Sequence, residues 1–324
     1  MRPPTFVLTL ACRMPVLLLA LWFAGPAASA AEVLRLIVAW PAGGPVDLVA
    51  RQLEPLLQRS LGRPLVIENL PGAGGAIGVG KLLAATDDAP AWLVGTPSET
   101  IVAPLLNPAL AYRPAQLRLL GVASTLPVAL VGRMDGPRAL AALLAERRAG
   151  AQPVVCGNYG IGSHAHLAGQ EFAARTGVPL LHVPHAGAAP LLRELVAGRV
   201  DLAFLPLNRG VLDLISQDRL RLLALAGERR DERFPAVPTV DEATGLAGFR
   251  HTLWVGVFLA ATASDAAVRR ARSALHDALR DPGYRAQKLV EGVLPGEPLS
   301  EAELRRLHAE QIAHYTRQIE ALPR

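Results

Sequence analysis

The sequence has little of what marks a reactive or nucleic-acid-binding protein. Cysteine stands only at positions 12 and 156, lysine only at 81 and 288, and aromatic residues make up 5% of the chain. With Cys12 inside a removable leader, Cys156 is alone and no internal disulfide is available. Stability must then come from buried apolar surface, for which 324 residues at 51% apolar content suffice. Charged residues reach only 19%, which excludes a disordered chain. The arginines are dispersed and no basic–aromatic cluster occurs, which excludes a nucleic-acid surface. The apolar run 16–24 is far short of the roughly 20 residues that span a bilayer, and no other run is long enough.

That run has another reading. Arg2 and Arg13 precede it and Ala28-Ser29-Ala30 follow, the order of a secretory signal peptide cleaved after Ala30. Of the formal charge of +5, Arg2 and Arg13 account for two, leaving +3 on residues 31–324. The exported remainder is expected to be soluble.

What is present is a repeated strand, glycine turn and helix. Strand-like 33–39 runs into Pro41-Ala42-Gly43-Gly44-Pro45, and a helix is expected over 46–61. Pro45 suits a first helical position, and the unpaired N–H groups of a helix start favour an anion. Strand 64–68 leads to Pro71-Gly72-Ala73-Gly74-Gly75, where Ile77 replaces the third glycine of a dinucleotide fingerprint. The turn is read instead as close backbone approach to a neighbour or to the same cleft. Strand 92–95 ends at Thr96-Pro97-Ser98. Two apolar runs, 117–123 and 127–131, bracket an expected domain crossing. A second half opens with strand 153–157, the turn Gly160-Ile161-Gly162-Ser163 and a helix over 165–176, with Ser163 able to cap it. Strand 180–184, the turn His185-Ala186-Gly187-Ala188, a helix over 191–197, and strands 200–205 and 220–226 follow, the last as a candidate return crossing. Tail helices are expected over 265–280 and 300–322, with Ser300 and Glu303 as a capping box. Alternating strands and helices imply mainly parallel sheets.

In order, these motifs resemble the Bug-type receptors, periplasmic substrate-binding proteins of tripartite tricarboxylate transporters. The resemblance rests on Pro41-Ala42-Gly43-Gly44 with Asp47 and Arg51, Gly62-Arg63-Pro64, Glu68-Asn69, Pro71 to Gly75, Gly160-x-Gly162-Ser163 with His166-Leu167-Ala168-Gly169, His182-Val183-Pro184 with Gly187 and Pro190, Val237-Pro238-Thr239 with Glu242, and Trp254-x-Gly256. It implies an α/β fold, a two-domain periplasmic binding protein of type II, flytrap-like, with two crossing strands and a central cleft. Domain I is expected over 31–124 and 226–324, and domain II over 125–225. The resemblance further implies a non-enzymatic monomer without cofactor or bound metal. It would hold a small carboxylated solute (an organic acid, amino acid or aromatic acid) and serve a permease or a sensor. Carried over by position, Ala42, Gly43, Gly44, Asp47, Thr96 and Ser98 line one side, and Ser163, His164, Pro184, His185, Gly187 and Ala188 the other. Asp47 is expected to order its own turn, since a carboxylate repels an anion.

The chain departs from the family pattern at Asn158, at His185-Ala186, at Ala188 and at Leu205. Ala186 and Leu205 suggest a more apolar ligand, provided that their side chains face the cleft. Two other classes compete. Cys156, His164, His166, His182 and His185 fall within thirty residues and offer zinc ligands, which must converge in threes or fours. Ser98 and Ser163 offer hydrolase nucleophiles, yet neither sits in a Gly-x-Ser-x-Gly elbow. Trp254 is expected at the cleft or hinge.

Overall fold

The computed structural model describes residues 33–86, 90–148 and 152–320. The leader and its cleavage site lie outside the described residues. In chain order the first elements are β1 (Leu34–Val38), α1 (Pro45–Leu61), β2 (Leu65–Asn69), a 3-10 turn (Ala73–Gly75), α2 (Ala76–Leu83) and β3 (Ala91–Gly95). A π-helical turn (Ser98–Val102) continues into α3 (Ala103–Leu106) and is followed by the long β4 (Leu117–Arg133). Next come α4 (Leu140–Arg148), β5 (Val154–Asn158), α5 (His164–Thr176), β6 (Leu180–Pro184), α6 (Ala188–Val196), β7 (Leu202–Pro206), α7 (Arg209–Ser216) and β8 (Leu220–Leu225). The chain closes with α8 (Val240–Thr244), β9 (Thr252–Ala260), α9 (Asp265–Arg280), α10 (Pro282–Val290), β10 (Leu294–Pro295) and α11 (Glu301–Glu320).

α1 forms because Val46, Val49, Ala50, Leu53, Leu57 and Leu61 fall on one buried face. Pro45 starts the helix and Gly62, at φ 62°, ends it in the left-handed conformation that a side chain disfavours. α6 starts three residues before the expected 191, because Pro190 falls in its first turn, where no intrahelical N–H is needed. Ser300 and Glu303 form the expected reciprocal cap of α11.

The apolar runs 117–123 and 127–131 both fall in β4. It is one strand of 17 residues. Its first part pairs antiparallel with β9, and β10 lies on its other edge at Ser124 and Thr125. Its second part, from Val128, pairs with β7 on one edge and β8 on the other. Polar Ser124 and Thr125, between the two runs, are carried in the strand by paired backbone. Pro127, which has no N–H, sits where β4 changes partners, and its carbonyl accepts from Leu207 N–H at 2.8 Å.

On one side of that change lie parallel β2, β1 and β3, with β9 antiparallel beside β3. On the other lie parallel β6, β5 and β7. β8 lies along Ala129 to Arg133, and beyond it His251 N–H bonds Ala226 C=O at 2.8 Å, where β9 begins. One apolar cluster, from Val38 and Leu53 through Leu130 to Phe172 and Phe204, runs through both sheet halves, and separate clusters cover their other faces. Trp254 pairs with Thr125, close to the point where β4 changes partners. It is buried against Phe258, with its indole N–H on Gln311 of α11 at 3.1 Å.

Candidate functional site

The parallel strands of both halves end in turns that face one another. The first follows β1. Gly43, at φ 79°, donates its N–H to Asp47 Oδ2 at 2.8 Å, and Arg51 Nε reaches the same oxygen at 2.8 Å. Asn69 Nδ2 bonds Asp47 Oδ1 at 2.9 Å and the Trp40 carbonyl at 3.1 Å, tying β2 to the turn. Burial pushes the Asp47 carboxyl upward, and the bonds from Arg51, Gly43 and Asn69 outweigh it, so the group is held below its ordinary range. Asp47 therefore orders the turn. Ala42 and Gly43 stay exposed, and Gly44 begins α1 without a side-chain cap.

The second turn follows β6. His185 N–H returns to Asn158 C=O at 2.9 Å, and the His185 ring turns back to the Val183 carbonyl at 3.0 Å. Gly187, at φ 129°, starts α6, again without a side-chain cap. It is buried, and a Cβ built on it would lie 3.9 Å from Pro41 Cγ. The starts of α1 and α6 therefore approach each other from the two sheet halves. Pro184 and Ala186 are exposed and Ala188 is partly so. First-turn N–H groups lack intrahelical partners, and two such ends offer converging donors and positive dipole ends.

The start of α5 is arranged differently. Ser163 caps it, accepting from His166 N–H at 3.3 Å. The His164 N–H is taken by Ser98 Oγ at 3.1 Å, a bond between the two halves. These two site residues are thus brought together, and the N–H expected to face a ligand already has an acceptor. Burial, with His251 at 5.2 Å and His314 behind it, holds the His164 ring well below its usual range, so it is neutral.

Thr96 departs most from expectation. Its N–H bonds Glu99 Oε1 at 2.6 Å and its hydroxyl bonds Glu99 Oε2 at 2.6 Å. Glu99 is fully buried, and burial pushes its carboxyl up to about 7 against the bonds from Thr96. The Trp40 indole N–H faces the same carboxyl outside bonding geometry and has no other partner. The glycine-rich turn before α2 packs here: a Cβ on Gly75 would lie 2.5 Å from Glu99 Cβ. Glu99 was not singled out from sequence. The one available signal was an acidic residue opening an otherwise apolar stretch. Across the cleft, Asn158 is fully buried, accepts from Gly160 N–H at 2.9 Å, and leaves its Nδ2 without a partner.

The rival classes lose ground. Among the described residues no group of three or more His, Cys, Asp or Glu is placed to hold a metal. His166 and His182 meet edge to face at 4.8 Å, His164 turns to His251 and His185 to Val183, so the proposed zinc ligands do not converge. The Cys156 thiol is buried and pushed up to about 12. Ser98 and Ser163 each accept from a backbone N–H, and no imidazole bonds either hydroxyl. Leu205 lies fully buried in the core under α6 and α7, which removes half the basis for a more apolar ligand.

Residues 49–323 match the model of the tripartite tricarboxylate transporter family receptor. Protein BugT of Bordetella pertussis is 33% identical over 239 residues, 70% of each chain. MatC of Rhodopseudomonas palustris, solved with bound malate, superposes with a TM-score of 0.80 at 26% identity, covering 89% of this chain and 98% of that one. Rpa4515 of R. palustris, solved with adipate, gives a TM-score of 0.81 at 25% identity, covering 89% and 96%. The motifs, the two-part sheet and these likenesses agree, and the chain belongs to the receptor family of the tripartite tricarboxylate transporters.

Proposed function

We propose that this protein is exported to the periplasm with cleavage after Ala30 and acts there, as a monomer, as a receptor for a small carboxylated solute. Two units, 31–124 with 226–324 and 125–225, close on the solute like a flytrap. The closed shape is read by a membrane permease of the tripartite tricarboxylate type or by a sensor. The observation that carries this reading is the approach of two uncapped helix starts, α1 at Gly44 and α6 at Gly187. A carboxylate set between them takes backbone N–H donors from both halves, and its binding favours closure. Among the twelve residues carried over by position, Ala42, Gly43, Gly44, Gly187 and Ala188 form that anion seat, with Pro184 and His185 flanking it. Asp47, Thr96, Ser98, Ser163 and His164 shape it through the bonds described above. The malate and adipate of the two similar structures support a carboxylate as the ligand class.

The test is a thermal-shift screen of the metal-stripped protein against malate, adipate, amino acids, aromatic acids and zinc. An acid at 100 times its dissociation constant stabilises by about 2.7 kcal/mol. A rise in Tm with one or more acids is expected. A response to zinc alone would refute the reading.

A further inference from the structure

Glu99 is a carboxyl group with no role in the fold that an amide side chain could not fill. It is fully buried, directly after Ser98 in the chain and bonded to Thr96. Among the described residues no Lys, Arg or His pairs with it. Its partners are the two donors of Thr96, with the Trp40 indole facing it. The charged and titratable groups around it are all accounted for. Tyr112 donates its hydroxyl to the Glu99 backbone carbonyl at 2.6 Å, and burial raises its own pKa, so it stays neutral. On α5, His164 is neutral and reaches this region through its backbone N–H to Ser98. On α11, which packs against the π-helical turn, His308 and Tyr315 are buried, with shifts that keep both neutral. On α1, Asp47 is engaged by Gly43, Arg51 and Asn69. On α2, Lys81 is exposed. α3 and the 3-10 turn before α2 carry no ionisable side chain.

We propose that the solute anion is captured together with a proton on Glu99, which makes Glu99 the residue that couples solute affinity to pH. This rests on the receptor reading above. Ionised, Glu99 holds the Thr96 hydroxyl and N–H and sets a negative charge behind an anion site. Protonated, it donates its own O–H to Thr96 Oγ1, the Thr96 hydroxyl keeps its hydrogen and turns it toward the cleft, and the repulsion is gone. The one bond formed is the Glu99 O–H, whose proton comes from solvent and returns to it when the solute leaves. Because coupling is reciprocal, the anion raises the affinity of Glu99 for its proton by the factor by which the proton raises the affinity for the anion.

The sign follows. The free carboxyl titrates at about 7, so affinity is highest below that pH and weakens above it. A tenfold coupling moves the carboxyl up by about one unit on binding, and malate then binds roughly sevenfold more weakly at about pH 9 than at about pH 6.5. Near pH 7.5 about half a proton is taken up per malate bound.

The experiment is calorimetric titration of the full protein with malate and with adipate at these pH values, repeated near pH 7.5 in phosphate and in Tris, whose ionisation enthalpies differ and so report proton uptake. E99Q is the matched variant. Its amide accepts from Thr96 N–H and donates to Thr96 Oγ1 as the protonated acid does, so its affinity is expected to be pH-independent and its proton uptake nil. A structural role alone would change the Tm of E99Q and leave the proton count unchanged. Binding by the wild type without proton uptake overturns the inference alone, whether or not E99Q folds. So does E99Q with wild-type proton uptake, or affinity that rises with pH as an ammonium-bearing solute would give. Where another acid of the thermal-shift screen is the one that binds, it takes the place of malate in the titration; binding of none of the screened acids overturns the receptor reading, and the inference with it.

Discussion

Replacing Asp47 by alanine tests the claim that one buried carboxylate holds the first cleft turn. The Asp47 side chain is 1% exposed and accepts from the Gly43 N–H, the Asn69 amide and the Arg51 guanidinium. Hydrogen bonds to a charged group contribute about 1.5–3 kcal/mol each. Gly43 is exposed, so its freed N–H is rehydrated and the lower end of that range applies. Arg51 is 52% exposed, and its ion pair adds at most about 0.5 kcal/mol. Removing the carboxylate also removes the penalty of burying it, so the net loss in D47A is about 2–3 kcal/mol. For a chain of this size that is a fall in Tm of about 4 °C. Urea unfolding followed by circular dichroism measures it directly, with R51M as the control expected to lose under about 1 kcal/mol. The pH dependence has a definite sign. The folded Asp47 is more acidic than its ordinary value of 3.8, so its contribution is present above about pH 4 and is lost as pH falls through the lower folded value. A D47A variant as stable as wild type, or an R51M loss as large as that of D47A, would refute the reasoning.

Two further substitutions separate fold from site. Gly44 has φ −79°, and an added Cβ would sit 3.4 Å from the Pro41 carbonyl, an ordinary contact, so G44A should melt like wild type while malate affinity falls at least about tenfold. Gly43, at φ 79°, is strained by any side chain, and G43V should lose about 1–2 kcal/mol in the same melt; equal Tm values for the two variants would contradict this. Cys156 is fully buried with its thiol raised to about 12, so an aromatic disulfide reagent should leave it unlabelled in the native protein and label it in urea. Rapid native labelling would show that β5 is not packed as described.

The features legible in the sequence are those fixed by neighbours along the chain. Pro45 and Gly62 bracket α1, Ser300 and Glu303 cap α11, and α9 occupies 265–280 as its periodicity requires. Each depends on residues within one or two helical turns. β9 was not recognised, because Leu253 to Ala260 are buried without alternation and give no period of two. β4 showed only as two apolar runs either side of a crossing for a related reason: its continuity comes from four partner strands distant in sequence, which no local pattern records.

The cleft follows the same rule, and this bears on how its specificity is read. The glycine turns were visible because conformational freedom belongs to the residue itself. What those turns can offer a ligand depends on contacts such as Ser98 with His164, 66 positions apart, and on Glu99 occupying both donors of Thr96. Ala186 and Leu205 looked alike as apolar departures, yet one is exposed beside the second turn and the other fully buried in the core. Substitutions at family positions therefore inform on the ligand only after burial has sorted them. By that criterion Asn158 and Glu99 outrank Leu205, since each places a polar group behind the cleft where an unmatched charge or donor is costly. Discrimination between acids should respond more to N158S and E99Q than to any change at Leu205, and relative affinities for malate and adipate in the three variants measure that order.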